Sequence, residues 1–161
     1  MKLRNMTSLY LVEEDKVLCL YRIGSRVVSN KYIGSAGGHF EPQELNDPRA
    51  CILREMEEEL SLRESDVDEL SLRYITHRLM EGEIRQNYYF FGRLKEKREL
   101  ASTEGMLHWI PFGEIPQLPM PVSAKHMILH YLQIGQFNEE IYGGITEKTG
   151  TTFVPMRSFG G

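Results

Sequence analysis

The chain has 161 residues, 41% of them hydrophobic and 26% charged, with a formal charge of −4. That is length enough for one domain with a proper core, and the negative balance argues against a nucleic-acid polymer as partner, since a phosphate backbone calls for a basic stripe. Cys19 and Cys51 fall in a strand-like run and in a helix, so neither a disulfide framework nor a zinc site is suggested.

Taken in order, Met6 to Val12 reads as a strand, Glu13-Glu14-Asp15-Lys16 as a polar turn, and Val17 to Arg22 as the second strand of a hairpin. Gly24 to Lys31 reads as a polar loop, and Tyr32 to Ala36 as a short strand feeding the pair Gly37-Gly38, where backbone can approach a ligand closely. Asp47-Pro48 has the form of an N-cap followed by proline at the first helical position. The helix it opens carries Glu55, Glu58 and Glu59 on one face, with Leu53, Met56 and Leu60 opposite to pack on a core.

On its own, a Glu-rich face is an ordinary solvated surface. Here three carboxylates crowd together, and Glu58 and Glu59 lie near the helix C-terminus, where the dipole disfavours negative charge. Each like-charged pair costs about 0.2–0.5 kcal/mol. Beside a glycine pair, that repulsion is relieved most simply by a hard divalent cation with oxygen ligands, Mg²⁺ or Mn²⁺.

Beyond the helix, Arg63 to Glu69 reads as a turn, and Leu70 to Leu79 and Ile84 to Leu94 as strands around a Glu81-Gly82-Glu83 turn. In the aromatic run, Tyr88 and Phe90 point to one face and Tyr89 and Phe91 to the other. One pair is expected in the core and the other in a pocket. Met106 to Pro111 reads as an edge strand carrying Trp109. Val122 to Ile134 reads as a second helix with Met127, Ile128, Tyr131 and Leu132 in a stripe. Residues 136–161 change character and read as an extension: an added hairpin, a dimer arm or a loose tail. The N-terminus has no long apolar segment, and no apolar run of about 18 residues occurs, so a cytoplasmic protein with no membrane contact is expected.

At this point the chain resembles a known family. Gly38, then five residues, Glu44, a spacer and Arg54-Glu55-Met56-Glu57-Glu58-Glu59 is similar to the Nudix box of the Nudix hydrolases (MutT-like). Two departures stand out. The spacer over residues 45–53 is nine residues where the family pattern has seven, and Ser61 stands where the family has glycine. The extra pair is placed in the loop before Pro48, at Asn46 and Asp47, leaving the helical face intact.

The resemblance implies an α/β Nudix fold, a mixed β-sheet sandwiched between α-helices, over residues 1–135. It also implies a metal site made from Glu55, Glu58, Glu59 and the Gly37 carbonyl, and a brace of Arg54 on Glu44. Gly38, His39 and Arg22 are its substrate-binding candidates. Glu104, in the loop before Trp109, is a candidate base or metal carboxylate. The reaction it implies is metal-dependent hydrolysis of a nucleoside diphosphate-linked small molecule. The neighbourhoods of Tyr32 to His39 and Glu104 to Trp109 resemble the branch acting on oxidised purine nucleoside triphosphates, which yields the monophosphate and diphosphate. ADP-ribose or another nucleoside-diphosphate-X is the alternative; the proline of the ADP-ribose branch is missing at Ile75-Thr76-His77. A non-catalytic nucleotide sensor is a further reading, set against the retained box glutamates. An isomerase of the same fold would need an active-site cysteine, and neither cysteine lies in a suitable loop. A homodimer is compatible with the extension.

Overall fold

The computed structural model describes residues 1–23 and 30–160; most of the polar loop expected over Gly24 to Lys31 lies outside them. Among the described residues, nine strands form one mixed sheet, with a helix on each face. The strands are β1 (Lys2–Glu13), β2 (Lys16–Arg22), β3 (Lys31–Ile33), β4 (Ala36–His39), β5 (Val67–Met80), β6 (Glu83–Leu94), β7 (Met106–Pro111), β8 (Ile141–Glu147) and β9 (Gly150–Met156). The helices are α1 (Pro48–Leu60) and α2 (Val122–Gln133). No helix among the described residues is long and apolar enough to cross a membrane.

Alternation along the strands sorts side chains to the two faces. Leu9, Leu11, Leu18 and Phe90 point towards α1 and pack with its Ile52, Met56 and Leu60. Tyr10, Val12, Val17, Cys19, Tyr89 and Phe91 point the other way, onto Met127, Ile128 and Tyr131 of α2. The four-aromatic run divides between the faces as the period of two requires. Its two pairs do not divide into core and pocket, however. Phe91 stacks on Tyr131 at 4.0 Å between centroids, whereas Tyr88 leaves the pocket side altogether and meets Phe40 at 5.2 Å.

The sheet order runs β3-β2-β1-β6-β5-β8-β9, with β4 on β1 and β7 on β2. At its centre β1 runs parallel to β6, from Lys2 opposite Glu83 to Leu11 opposite Gly92. Near the hairpin, β1 and β2 pair only from Leu11↔Leu18 to Glu13↔Lys16 and then fork. One prong continues as β2 with β3, the other as β1 with β4. The strand expected from Tyr32 to Ala36 is broken at Gly34-Ser35 for this reason, and the glycine pair lies inside β4 rather than in a loop.

Ser35, fully buried, fills the crotch of the fork. Its N–H donates to the Leu9 carbonyl at 2.7 Å and its hydroxyl to the Leu18 carbonyl at 2.6 Å, while the Leu11 N–H donates to its Oγ at 3.0 Å. Those backbone groups would otherwise be buried without partners.

The turn expected over Arg63 to Glu69 is shorter than its composition suggests, since β5 already begins at Val67. Residues 141–156 form an antiparallel hairpin whose first strand lies parallel to β5, from Tyr74↔Tyr142 to His77↔Ile145. Tyr142 stacks on Tyr74 at 5.5 Å. Arg73, only 8% exposed, donates to the Gly135, Asn138 and Glu140 carbonyls and so fastens the chain where it leaves α2.

Candidate active site

α1 begins as its residues dictate. The Asp47 carboxylate accepts from the Ala50 N–H at 3.0 Å, and Pro48 sits in the first turn, where a missing N–H costs nothing. Its end is less ordinary. Ser61 takes the left-handed conformation, φ 56°, that glycine adopts without strain. It still closes the helix: its N–H donates to the Glu57 carbonyl and the Leu62 N–H to that of Met56.

The polar face of α1 meets β4. A Cβ on Gly38 would run into the Glu55 carboxylate, with Cδ at 2.6 Å, and one on Gly37 would strike the Thr7 carbonyl and Ser8 Cα. The glycine pair is what allows this backbone to lie against the glutamates. The Gly37 N–H donates to Glu59 Oε2 at 3.0 Å.

Arg54 ties the region together. Its Nε and Nη2 hold the two oxygens of Glu44 at 2.7 and 2.9 Å, a two-point grip. Nη2 also donates to the His39 carbonyl, and Nη1 to Glu55 and Glu58 at 3.0 and 3.2 Å. Glu44, 4% exposed, accepts from the Glu41 N–H as well. The guanidinium lowers the Glu44 pKa to about 2.

Glu59 is shifted the other way, to about 7, chiefly by burial and then by the charges of Glu55 and Glu104, against the favourable Gly37 N–H. Burial also raises Glu55. Two carboxyls held away from water and facing one another resist ionising together.

Glu59, Gly37 and Gly38 line one end of a cavity of about 400 Å³ that opens at the fork between β1 and β2. Glu104 and Arg22 stand in its wall, joined by an ion pair of 3.0 Å. His39 also lines it, its imidazole held below its ordinary pKa by partial burial and by Arg4. Leu20, Ile33, Pro121 and Ala124 give an apolar wall.

Several expected residues therefore come together: Glu55, Glu59, Gly37, Gly38, His39, Arg22 and Glu104. Glu55 and Glu58 both lie outside the cavity lining and bond Arg54, but Glu55 packs against Gly38, whereas the Glu58 side chain is 58% exposed. Of the aromatic run, Tyr88 and Phe90 lie outside the lining, as do Tyr32 and Trp109; among the described residues its aromatic rings of Phe, Tyr and Trp are Tyr10 and Tyr89. Three lining arginines, Arg4, Arg78 and Arg85, were not among the candidates.

Among the described residues no three His, Cys, Asp or Glu side chains stand gathered as a metal-ligating group. The reason is visible: Arg54 holds Glu55 and Glu58, and the Gly37 N–H holds Glu59. The donor set nonetheless suits a hard cation, since its side-chain oxygens are carboxylates on one helix face beside the backbone of Gly37 and Gly38.

A family model for the NUDIX domain matches residues 2–131. No curated protein matches the chain. Among solved structures, it resembles a MutT protein from Bacillus halodurans at 23% identity and TM-score 0.65, covering 94% of this chain and 97% of that one. A NUDIX hydrolase from Nitrosomonas europaea superposes with TM-score 0.70 at 18% identity, covering 92% and 81% respectively. An Ap4A hydrolase from C. elegans does so with TM-score 0.65 at 12% identity, covering 86% and 100%. These structural likenesses speak for the fold. Together with a domain match spanning most of its length and the box of Gly38 to Leu62, they lead to one conclusion: the chain belongs to the Nudix family.

Proposed function

We propose that this protein hydrolyses a nucleoside diphosphate-linked substrate with a divalent metal, and that the substrate is a purine nucleoside triphosphate, including base-oxidised forms, cleaved to monophosphate and diphosphate. The observation that carries the reading is the packing of Gly37-Gly38 against Glu55 and Glu59 at the acidic end of one cavity, with Glu104 in the adjoining wall. Water adds to phosphorus, the bridging P–O bond breaks, and diphosphate leaves.

Glu55, Glu59 and the Gly37 carbonyl would hold Mg²⁺ or Mn²⁺, with Glu58, one turn along the same face from Glu55, joining them on turning away from Arg54. Once bound, the ion supplies charge neutralisation for the phosphates and a lowered pKa for water. The chain's own groups do the rest. Glu104, whose Oε2 is held by Arg22, has Oε1 available to take the proton of the attacking water. Arg22 both orients that carboxylate and stands within the cavity to meet a phosphate oxygen. Leu20, Ile33, Pro121 and Ala124 offer an apolar wall against which a base can lie. Arg54 keeps the 39–44 segment against α1 and so fixes the position of the glycine pair.

The test is a panel of 8-oxo-dGTP, dGTP, ADP-ribose and dinucleoside polyphosphates, with Mg²⁺ and with Mn²⁺, read by chromatography of the products. Diphosphate release from the triphosphates is expected. A tenfold preference for ADP-ribose or a dinucleotide overturns the triphosphate reading and leaves diphosphate-bond hydrolysis standing. No cleavage of any of them overturns both.

A further inference from the structure

The floor of the cavity carries a feature that the proposed chemistry leaves unused. Arg4 on β1 lies directly opposite Arg85 on β6, and Arg85 lies directly opposite Arg78 on β5. Residues in register on neighbouring strands share a face, so three guanidinium groups form one row, and all three line the cavity. Like charges directly opposite each other destabilise a sheet. One carboxylate offsets them: Glu83 pairs with Arg85 at 2.9 Å and with Arg4 at 3.8 Å. Arg78 has no ion pair or hydrogen bond among the described residues and is only partly exposed. Among the described residues the row holds three positive charges against one paired negative, Glu83.

Its position relative to the glutamates follows from register. Gly37, bonded to Glu59, pairs with Ser8 on β1, and His39 pairs with Met6. The row crosses β1 at Arg4, four residues from Ser8, or about 13 Å along the strand. The cavity is acidic at one end and basic at the other. The glutamates would hold an ion at the end where the scissile phosphates would sit; the guanidinium row presents planar donors matched to another phosphate.

We infer that Arg4, Arg78 and Arg85 form an anion subsite for a second phosphate group of the substrate, separate from the phosphates at the glutamates. This rests on the diphosphate-hydrolysis reading for its place in catalysis. Two sources supply the same chemistry: the terminal phosphate of a triphosphate, or a phosphate on the far moiety of a diphosphate-linked molecule.

The experiment compares wild type with Arg78→Gln, chosen because removing this side chain breaks no ion pair of the described fold; an unchanged melting temperature checks that. Calorimetric titration with inorganic tripolyphosphate in chelator is expected to show affinity at least fivefold weaker in the variant, and binding that weakens as salt is raised. Equal affinity overturns the subsite. In turnover, a fall of at least fivefold in the variant's kcat/KM preference for a nucleoside triphosphate over its diphosphate, carried mainly by KM, assigns the terminal phosphate. A fall confined to the preference for a phosphorylated over an unphosphorylated nucleoside-diphosphate sugar assigns the far moiety. Weaker tripolyphosphate binding with both preferences unchanged overturns the role in substrate recognition. Wild type that cleaves nothing yet binds tripolyphosphate through Arg78 rejects the hydrolase reading and retains the anion site.

Discussion

The acidic and basic ends of the cavity are built in opposite ways. Glu55, Glu58 and Glu59 come from one helix, and their braces, Arg54 and the Gly37 N–H, come from the same short stretch of chain. The arginine row comes from three strands, and only the pairing of β1 with β6 and of β6 with β5 brings it together. Local construction lets the acidic end be compensated from within, by Arg54. A row fixed by register has, among the described residues, one carboxylate paired with it, Glu83, and retains surplus charge. The first end suits holding an ion in place; the second suits drawing a charged group in.

If that division is right, damage at the two ends has different signatures. The largest effect is expected from chelation: turnover is lost in excess chelator and returns with Mg²⁺ or Mn²⁺. Persistent turnover there would contradict the metal assignment. Next, Glu59→Gln is expected to lower kcat by about a hundredfold, on the scale of losing one main electrostatic contributor, whereas Arg78→Gln acts mainly on KM. Steady-state kinetics on both variants separates the ends, and equal effects on kcat would erase the distinction.

Smaller effects are structural. Glu44→Gln breaks the two-point grip of Arg54 and is expected to cost about 3 kcal/mol, read by urea unfolding at pH 7; a cost below about 1 kcal/mol would show that Glu55 and Glu58 suffice to hold Arg54. The pH dependence should show both signs. The folded pKa of Glu44 is depressed to about 2, so its contribution is present above the usual carboxylate range and is lost as pH falls towards 2. Glu59 is raised to about 7, so its stabilising effect is present below its unfolded value and is lost as pH climbs through 7. In chelator, Glu59→Gln should therefore melt higher than wild type at pH 8 and alike at pH 4. The smallest change is Ser61→Gly, which relieves a left-handed serine and is expected to add about 0.5–1 kcal/mol.

The same contrast explains what could be read from the chain beforehand. The acidic end was legible because helical spacing converts a string of residues into a face, and because Asp47-Pro48 marks where that spacing starts. Arg54 on Glu44 was legible through resemblance. Nothing local says that Arg4 will stand beside Arg85, since that depends on which strands pair and in which register. The one available sign was that Arg85 sits two residues before Asn87 and four before Tyr89, on the inward set of a strand. The splitting of residues 32–39 was hidden for the same reason: the fork belongs to the pairing, and a glycine pair looks the same in a loop as in β4. The failure of the aromatic pairs to divide into core and pocket has a different cause. Alternation sets the face, but depth along the strand decides that Tyr89 lines the cavity while Phe91 lies under Tyr131.

The parallel pairing of β1 with β6 has a consequence for the order of assembly. Lys2 finds its partner at Glu83, 81 positions later, and Tyr74 meets Tyr142 across 68 positions. As the chain leaves a ribosome, β1 has only its hairpin with β2 and its contact with β4 to occupy it until β6 emerges, and its other edge is open. At about 5–20 residues per second, that interval lasts several seconds. Contacts so distant in sequence slow folding, because loop closure must precede the pairing that rewards it. For those seconds the apolar positions of β1, Leu9 and Leu11 among them, are the stretch of this protein most in need of shielding from other chains.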